Sequence, residues 1–365
     1  TLATSSAASD VYKRQINMAL QSSGQISFAN IINEFGDSGG GLGAYRLNQT
    51  IGSLSGLRLD KNSCGPSANA SIPGPGQTIS FSDFYNSRLN VVVDYHTGST
   101  EYRAVAKDKY VANGVTVVGG FRTRPSSTGG IKVFVNVNKK IGSDTNNDTH
   151  RAALRTGSWD SGTQLTIDVG GSGKIYGAGG RGGNGTAGNG TNGNNGNTAV
   201  GFQFNTTLNV ASGGYIQQGY AGGGGGGHRY HDPDKNSRDD LSSGGGGGGG
   251  AGLPVGAGGV NTGGAFGFGA NGANGSSATE TAHGNGGAGG NGGGVVAGSG
   301  GDGGDNSQSA QRGQDGQSGP GREVSRGQGG APGTNGVPLR RDSNSISVTV
   351  NNSGCLLYTS PSPRD

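Results

Sequence analysis

The densest group of chemically capable side chains runs from His228 to Leu241, between a run of six glycines and a run of seven. It gathers His228, Arg229, Tyr230, His231, Asp232, Asp234, Lys235, Arg238 and Asp239 within a few residues. Two compatible readings follow. The segment is a solvated turn joining two glycine stretches, or a recognition loop displayed on a scaffold, which is where binding residues concentrate. A loop must be solvated to meet a partner, so the nine residues named are the candidate recognition set. His228, His231, Asp232 and Asp234 are also metal-ligand types. No second helix or strand fixes them, so no metal site is assigned.

Other chemistry has less to stand on. Gly177-Ala178-Gly179-Gly180-Arg181-Gly182 satisfies G-x-G-x-x-G after an apolar strand. A dinucleotide site needs an α-helix next, and the glycine- and asparagine-rich residues 183–197 cannot supply one. Asp302, Asp305 and Asp315 lie in glycine tracts, without the rigid walls that a pair of glycosidase carboxylates requires. No G-x-S-x-G elbow is present. Trp159-Asp160 could line a sugar site, although a single Trp is more often core. The expectation is therefore a protein that is not an enzyme and uses no cofactor.

The elements that must position such a loop are unusual. Of 365 residues, 83 are Gly and only 29% are hydrophobic, against a usual glycine content of about 7%. Between Gly170 and Gly336 lie 62 of those glycines. Both ends read as foreign. Ser5–Gln15 and Cys355–Asp365 back-translate to sequences that resemble sequencing-library adapters, and the codons for Asp10–Gln15 are nearly the reverse complement of those spanning Gly354–Ser360. Residues 1–15 and 355–365 are therefore expected to be adapter-derived, and 16–354 native. Removing them takes the formal net charge from +4 to +3, since three basic and two acidic residues go. The remaining Lys and Arg are dispersed, so no nucleic-acid partner is expected. Cys64 is then the sole cysteine, which excludes an intrachain disulfide. No apolar run approaches the ~20 residues of a membrane helix, so no membrane insertion is expected.

Three native segments are expected. In 16–90, Ile26–Asn33 and Ile79–Asn86 share an I-S-F-x-x-φ-φ-N pattern, each reading as a short helix capped by Ser27 or Ser80. In 91–162, the β-branched runs Leu89–Tyr95, Tyr110–Val118 and Ile131–Val137, punctuated by Gly pairs, predict a small antiparallel β domain. Residues 163–354 form a glycine-rich repeat domain with exposed loops. Its strand–turn–strand units begin at Leu165, Leu208 and Ile346, and glycine tracts are inserted after the first two. The glycines there recur every third residue: Gly179, Gly182, Gly185 and Gly188; Gly190, Gly193 and Gly196; Gly327, Gly330, Gly333 and Gly336. That period belongs to polyproline II. Without side chains, such helices can pack closely and hydrogen-bond laterally, which offsets the entropy of ordering glycine. Phase slips and only 11 Pro exclude collagen. The fold class expected is mainly β plus polyglycine II helices, with few α-helices. Leu253–Val255 and Phe266–Phe268 are apolar interruptions of the tracts, and Glu280–His283 and Gln308–Arg312 polar ones.

Ile79–Asn86 resembles a small module of tailed-phage virion proteins. Ile175-Tyr176-Gly177-Ala178-Gly179-Gly180, and the run Gly222–Gly227 followed by a variable loop, resemble glycine-rich domains of bacteriophage tail-fibre adhesins. The resemblance covers 165–340 well and 16–90 in part, and it implies a sandwich of polyglycine II helices whose tip loops touch a receptor. It further implies a virion location in the tail fibre, other virion tail proteins as partners, and a homotrimer as one assembly. The receptor would be a bacterial outer-membrane protein or surface glycan. The alternatives are a structural glycine-rich virion protein and, behind it, a glycan depolymerase.

Overall fold

A computed structural model describes residues 20, 23–35, 41–46, 49–50, 58–59, 71–74, 76–85, 87, 90–95, 99–106, 108, 132–144, 151–232, 239–292, 294–317 and 322–357. The first I-S-F unit forms helix α1 (Phe28–Phe35). Ser27 and Asn30 cap its start reciprocally: Asn30 N donates to Ser27 Oγ at 3.2 Å, and Ser27 N to Asn30 Oδ1 at 2.9 Å. The second unit forms a single 3-10 turn, Phe81–Phe84, where Ser80 N donates to Asp83 Oδ2. The two units meet through Tyr45, whose ring packs edge-on against Phe28 and Phe84. A two-residue antiparallel ladder, β1 (Gln49–Thr50) with β2 (Arg58–Leu59), lies between them in sequence.

From residue 90 the chain winds into a three-faced parallel β-solenoid. The first rung is β3 (Asn90–Tyr95), β4 (Glu101–Tyr102) and β5 (Ala104–Val105); the second is β6 (Lys132–Val137), β7 (Lys140–Gly142) and β8 (Ala152–Arg155). The third is β9 (Gln164–Val169), β10 (Lys174–Tyr176) and β11 (Thr198–Phe202). β12 (Thr206–Val210) and β13 (Tyr215–Gln217) open the fourth, which β19 (Leu339–Arg341) completes; β20 (Val348–Asn352) and β21 (Cys355–Leu357) follow. The faces are β3-β6-β9-β12-β20, β4-β7-β10-β13-β21 and β5-β8-β11-β19. Register stacks like on like: Val93, Val135, Ile167 and Leu208 form one inward column, with Val350 in the same register but 38% exposed, and Ile141, Ile175 and Ile216 form another. These buried columns belong to the apolar core. Strand β21 falls in the segment expected to be adapter-derived.

The antiparallel pairing expected for 91–162 is corrected: β3, β6 and β9 pair parallel, in the same sheets as the later strands. A solenoid strand points alternate residues inward, so its pattern matches that of a half-buried antiparallel strand. Only register distinguishes the two. Tyr110–Val118 lies outside the described residues.

Both glycine insertions leave the solenoid at one corner, between the second and third faces: residues 177–197 between β10 and β11, and 218–338 between β13 and β19. They form ten tracts joined by hydrogen bonds. The tract 219–228 shows the rule. Gly222 and Gly225 donate to Asn194 and Thr191, Gly223 and Gly226 to Gly248 and Gly245, and Gly224 and Gly227 to Gln311 and Gln314. Donors thus turn to a new neighbour at each residue and return every third, as a three-fold helix requires. The carbonyls of the same tract receive N–H groups from 177–185, 298–304 and 327–336, so it has six neighbouring tracts. Tract 244–251 is likewise surrounded, and the other eight close a ring around these two.

The glycine pattern follows from that lattice. The two central tracts are nearly pure glycine, because every direction faces another backbone. A Cβ on Gly222, Gly223 or Gly224 would sit 2.1, 2.1 or 1.9 Å from a neighbouring carbonyl oxygen. Tracts 177–185 and 297–305 touch both central ones and admit one side chain per turn: Ala178, Arg181 and Asn184; Ser299, Asp302 and Asp305. Tracts 188–197 and 327–336 need chiefly one glycine per turn. Outward N–H groups of the ring are capped by side chains: Asn189, Asn192 and Asn195 Oδ1 accept from Gln328, Ala331 and Thr334.

Candidate functional site

Because successive tracts reverse direction, their connections gather at two ends. At the solenoid end, Ser143 N donates to Leu253 O, Lys140 Nζ pairs with Glu280 at 2.7 Å, and Gln217 Nε2 donates to Glu280 O. Leu253–Val255 and Glu280–His283 therefore belong to the seat of the sandwich. The turn at 306–309 joins them: buried Asp305 accepts from Ser307 N and Oγ, Gln308 N, and His283 N and Nδ1. Burial alone would raise the Asp305 carboxyl, but these hydrogen bonds outweigh it and hold it well below the ordinary carboxylate value.

The far end collects five connections: 186–189, 229–243, 263–269, 291–296 and 317–326. They interlock. β14 (Arg229–Asp232) pairs antiparallel with β15 (Asp240–Ser242) on one side and β18 (Arg322–Arg326) on the other, with a bulge between Tyr230 and His231. β16 (Asn291–Gly292) and β17 (Val295–Val296) form a hairpin beneath, where Ser242 Oγ donates to Val295 O. A bridge joins Leu241 to Phe266. The segments 229–232 and 240–242 are thus held together in a three-stranded sheet set on the ends of the tracts, and 233–238 lie outside the described residues.

The candidate residues divide by position. His228 is an anchor: Nδ1 donates to Gly188 O at 2.9 Å, and Nε2 lies 3.1 Å from Ser325 Oγ. Arg229 is 1% exposed, with no partner for Nε among the described residues, so it underlies the sheet instead of meeting solvent. His231 is half-buried, and among the described residues its Nε2 has no partner. Tyr230 lies on the opposite side of the strand, its hydroxyl bonded to exposed Asp239. Asp232 ends β14, and its side chain lies outside the described residues, as do Asp234, Lys235 and Arg238 entirely. The structure adds two residues to the tip. Phe266 stacks obliquely on Tyr230, centroids 5.9 Å apart, and Phe268 is 73% exposed. Aromatic rings interrupting a glycine tract were the signal for both.

The other chemical candidates have structural roles. Gly177–Gly182 is part of a tract. Asp302 Oδ1 accepts from Gly286 N and Asp315 Oδ1 from Gly329 N, so both cap outward N–H groups of the ring. Trp159 is buried and donates to Thr156 O. Among the described residues, no cluster of three or more metal-ligand side chains occurs and no helix is long and apolar enough to cross a membrane.

A family model described as phage tail fibre adhesin Gp38 matches residues 110–358. No curated protein matches the chain. A chain in the crystal structure of the gp37–gp38 adhesin tip complex of the bacteriophage S16 long tail fibre is 16% identical, with a TM-score of 0.30; the match covers 77% of this chain and 87% of that one.

Proposed function

Because the chain belongs to the phage tail fibre adhesin Gp38 family, we propose that its far-end loops grip a bacterial surface receptor, an outer-membrane protein or a surface glycan. The observation that carries this reading is the gathering of Tyr230, Asp239, Phe266 and Phe268 from separate connections onto the end opposite the solenoid. Aromatic rings on a rigid support make strong anchors because little entropy is lost when they are covered. His228 and Arg229 hold the loop, while Tyr230, Asp239 and the span containing Asp234, Lys235 and Arg238 meet the receptor. Binding of other tail proteins falls to the solenoid and the N-terminal elements. The ten tracts close on one another within one chain, so the tip needs no second copy to form. The reading of the activity as adhesion is supported by Asp302, Asp305 and Asp315, whose carboxylates accept backbone N–H groups.

The test is selective binding of the labelled protein to a panel of bacterial strains. Making Tyr230→Ser with Asp239→Ser, or Phe266→Ser with Phe268→Ser, is expected to weaken binding at least tenfold with the circular dichroism spectrum unchanged. Undiminished binding by both variants, or no strain bound by the parent, overturns the reading.

A further inference from the structure

The first solenoid face carries a second feature. On the outward side of β6, β9, β12 and β20 lies a groove of about 420 Å³. Thr166, Thr207 and Thr349 stand in one register column along it, with buried Phe134 next in line on β6. Neighbouring strands place such side chains about 4.8 Å apart. None of the three hydroxyls has a hydrogen-bond partner among the described residues. Nearby threonines differ: Thr163 and Thr206 donate to the carbonyls of Asp160 and Phe204.

The adjacent column is hydrogen-bonded along its length. Asn209 Nδ2 donates to Asp168 Oδ1 at 2.6 Å, and Asn351 Nδ2 to Asn209 Oδ1 at 2.8 Å. Asp168 is 1% exposed, so its carboxylate does not face the groove. The residues lining the groove include no Lys, Arg, His, Asp or Glu.

This lining selects its occupant by chemistry. An anionic chain finds no cation, and an apolar peptide would cover hydroxyls and amides without bonding them, at a desolvation cost. A polyhydroxylated, uncharged chain matches on both counts: it needs no cation, and its hydroxyls exchange hydrogen bonds with the threonine and amide rows. We propose that this groove is a lateral binding site for a neutral glycan lying across the strands. It stands apart from the far-end loops and does not depend on their role.

The test uses the full chain against neutral O-polysaccharides purified from several Gram-negative strains and against dextran, followed by isothermal calorimetry. An anionic capsular polysaccharide serves as the charge control. At least one neutral polysaccharide is expected to bind, and the Thr166→Val, Thr207→Val, Thr349→Val triple variant to bind it at least tenfold more weakly. The Tyr230→Ser, Asp239→Ser variant should leave that affinity unchanged. Thr207→Val alone applies the same test with less risk to the fold. The proposal is overturned if no neutral polysaccharide binds, if the valine variants bind as well as the parent, or if only the Tyr230→Ser, Asp239→Ser variant abolishes binding.

Discussion

The solenoid and the glycine sandwich solve one problem in opposite ways. Each must pair every buried N–H and C=O. The solenoid does so with parallel ladders and fills its interior with Val, Ile, Leu and Phe. The sandwich has no side-chain interior: its central tracts are backbone packed against backbone, with a carbonyl where a Cβ would be. One region is held by apolar burial, the other by hydrogen bonding at a density that only glycine permits. The first is therefore vulnerable to atoms removed and the second to atoms added.

Single substitutions test that contrast. The largest effect is expected for Gly224→Ala, whose Cβ would lie 1.9 Å from Gly330 O and 2.9 Å from Gly313 N. With tracts fixed on all sides there is no room to relax, so the loss should reach or exceed about 3 kcal/mol. The sandwich should become protease-sensitive while the solenoid persists. An outcome within ~0.5 kcal/mol by thermal unfolding would break the comparison. Next is Leu208→Ala, fully buried in the solenoid column, expected to cost about 3 kcal/mol through the cavity left behind. Chemical denaturation should show the solenoid weakened.

A smaller effect concerns pH. Asp305 has its carboxyl lowered in the folded state from an ordinary value of 3.8. Its contribution is therefore complete above that value and is lost as pH falls below it. Asp305→Asn should lower stability at neutral pH by about 2 kcal/mol and flatten the acid limb of the unfolding curve. An unchanged acid limb would show that the turn at the seat of the sandwich does not depend on this carboxylate.

Legibility in the sequence followed the same divide. The triplet phase of glycine exposed the three-fold helices, because a lattice of tracts constrains every third residue independently of context. The strands at Leu165 and Leu208 were equally plain from alternation. What one sequence could not carry was register. Val135 and Ile167 look alike whether their strands run parallel or antiparallel, so the expected small domain proved to be the first rungs of the solenoid. At the tip, the His228–Leu241 segment announced itself by composition, but its inner logic did not. Arg229 and Tyr230 are adjacent in sequence and lie on opposite sides of a strand, one buried and one presented. The partnership of Tyr230 with Phe266 depends on how two distant tract ends meet.

The orientation of the tracts has a mechanical consequence. Their hydrogen bonds run between neighbouring tracts, across the line from seat to tip. A pull on the far-end loops, anchored at the solenoid corner, therefore loads those bonds in shear and many at once. To slip, a central tract must break with six neighbours together. The far end is thus built to bear tension along its axis.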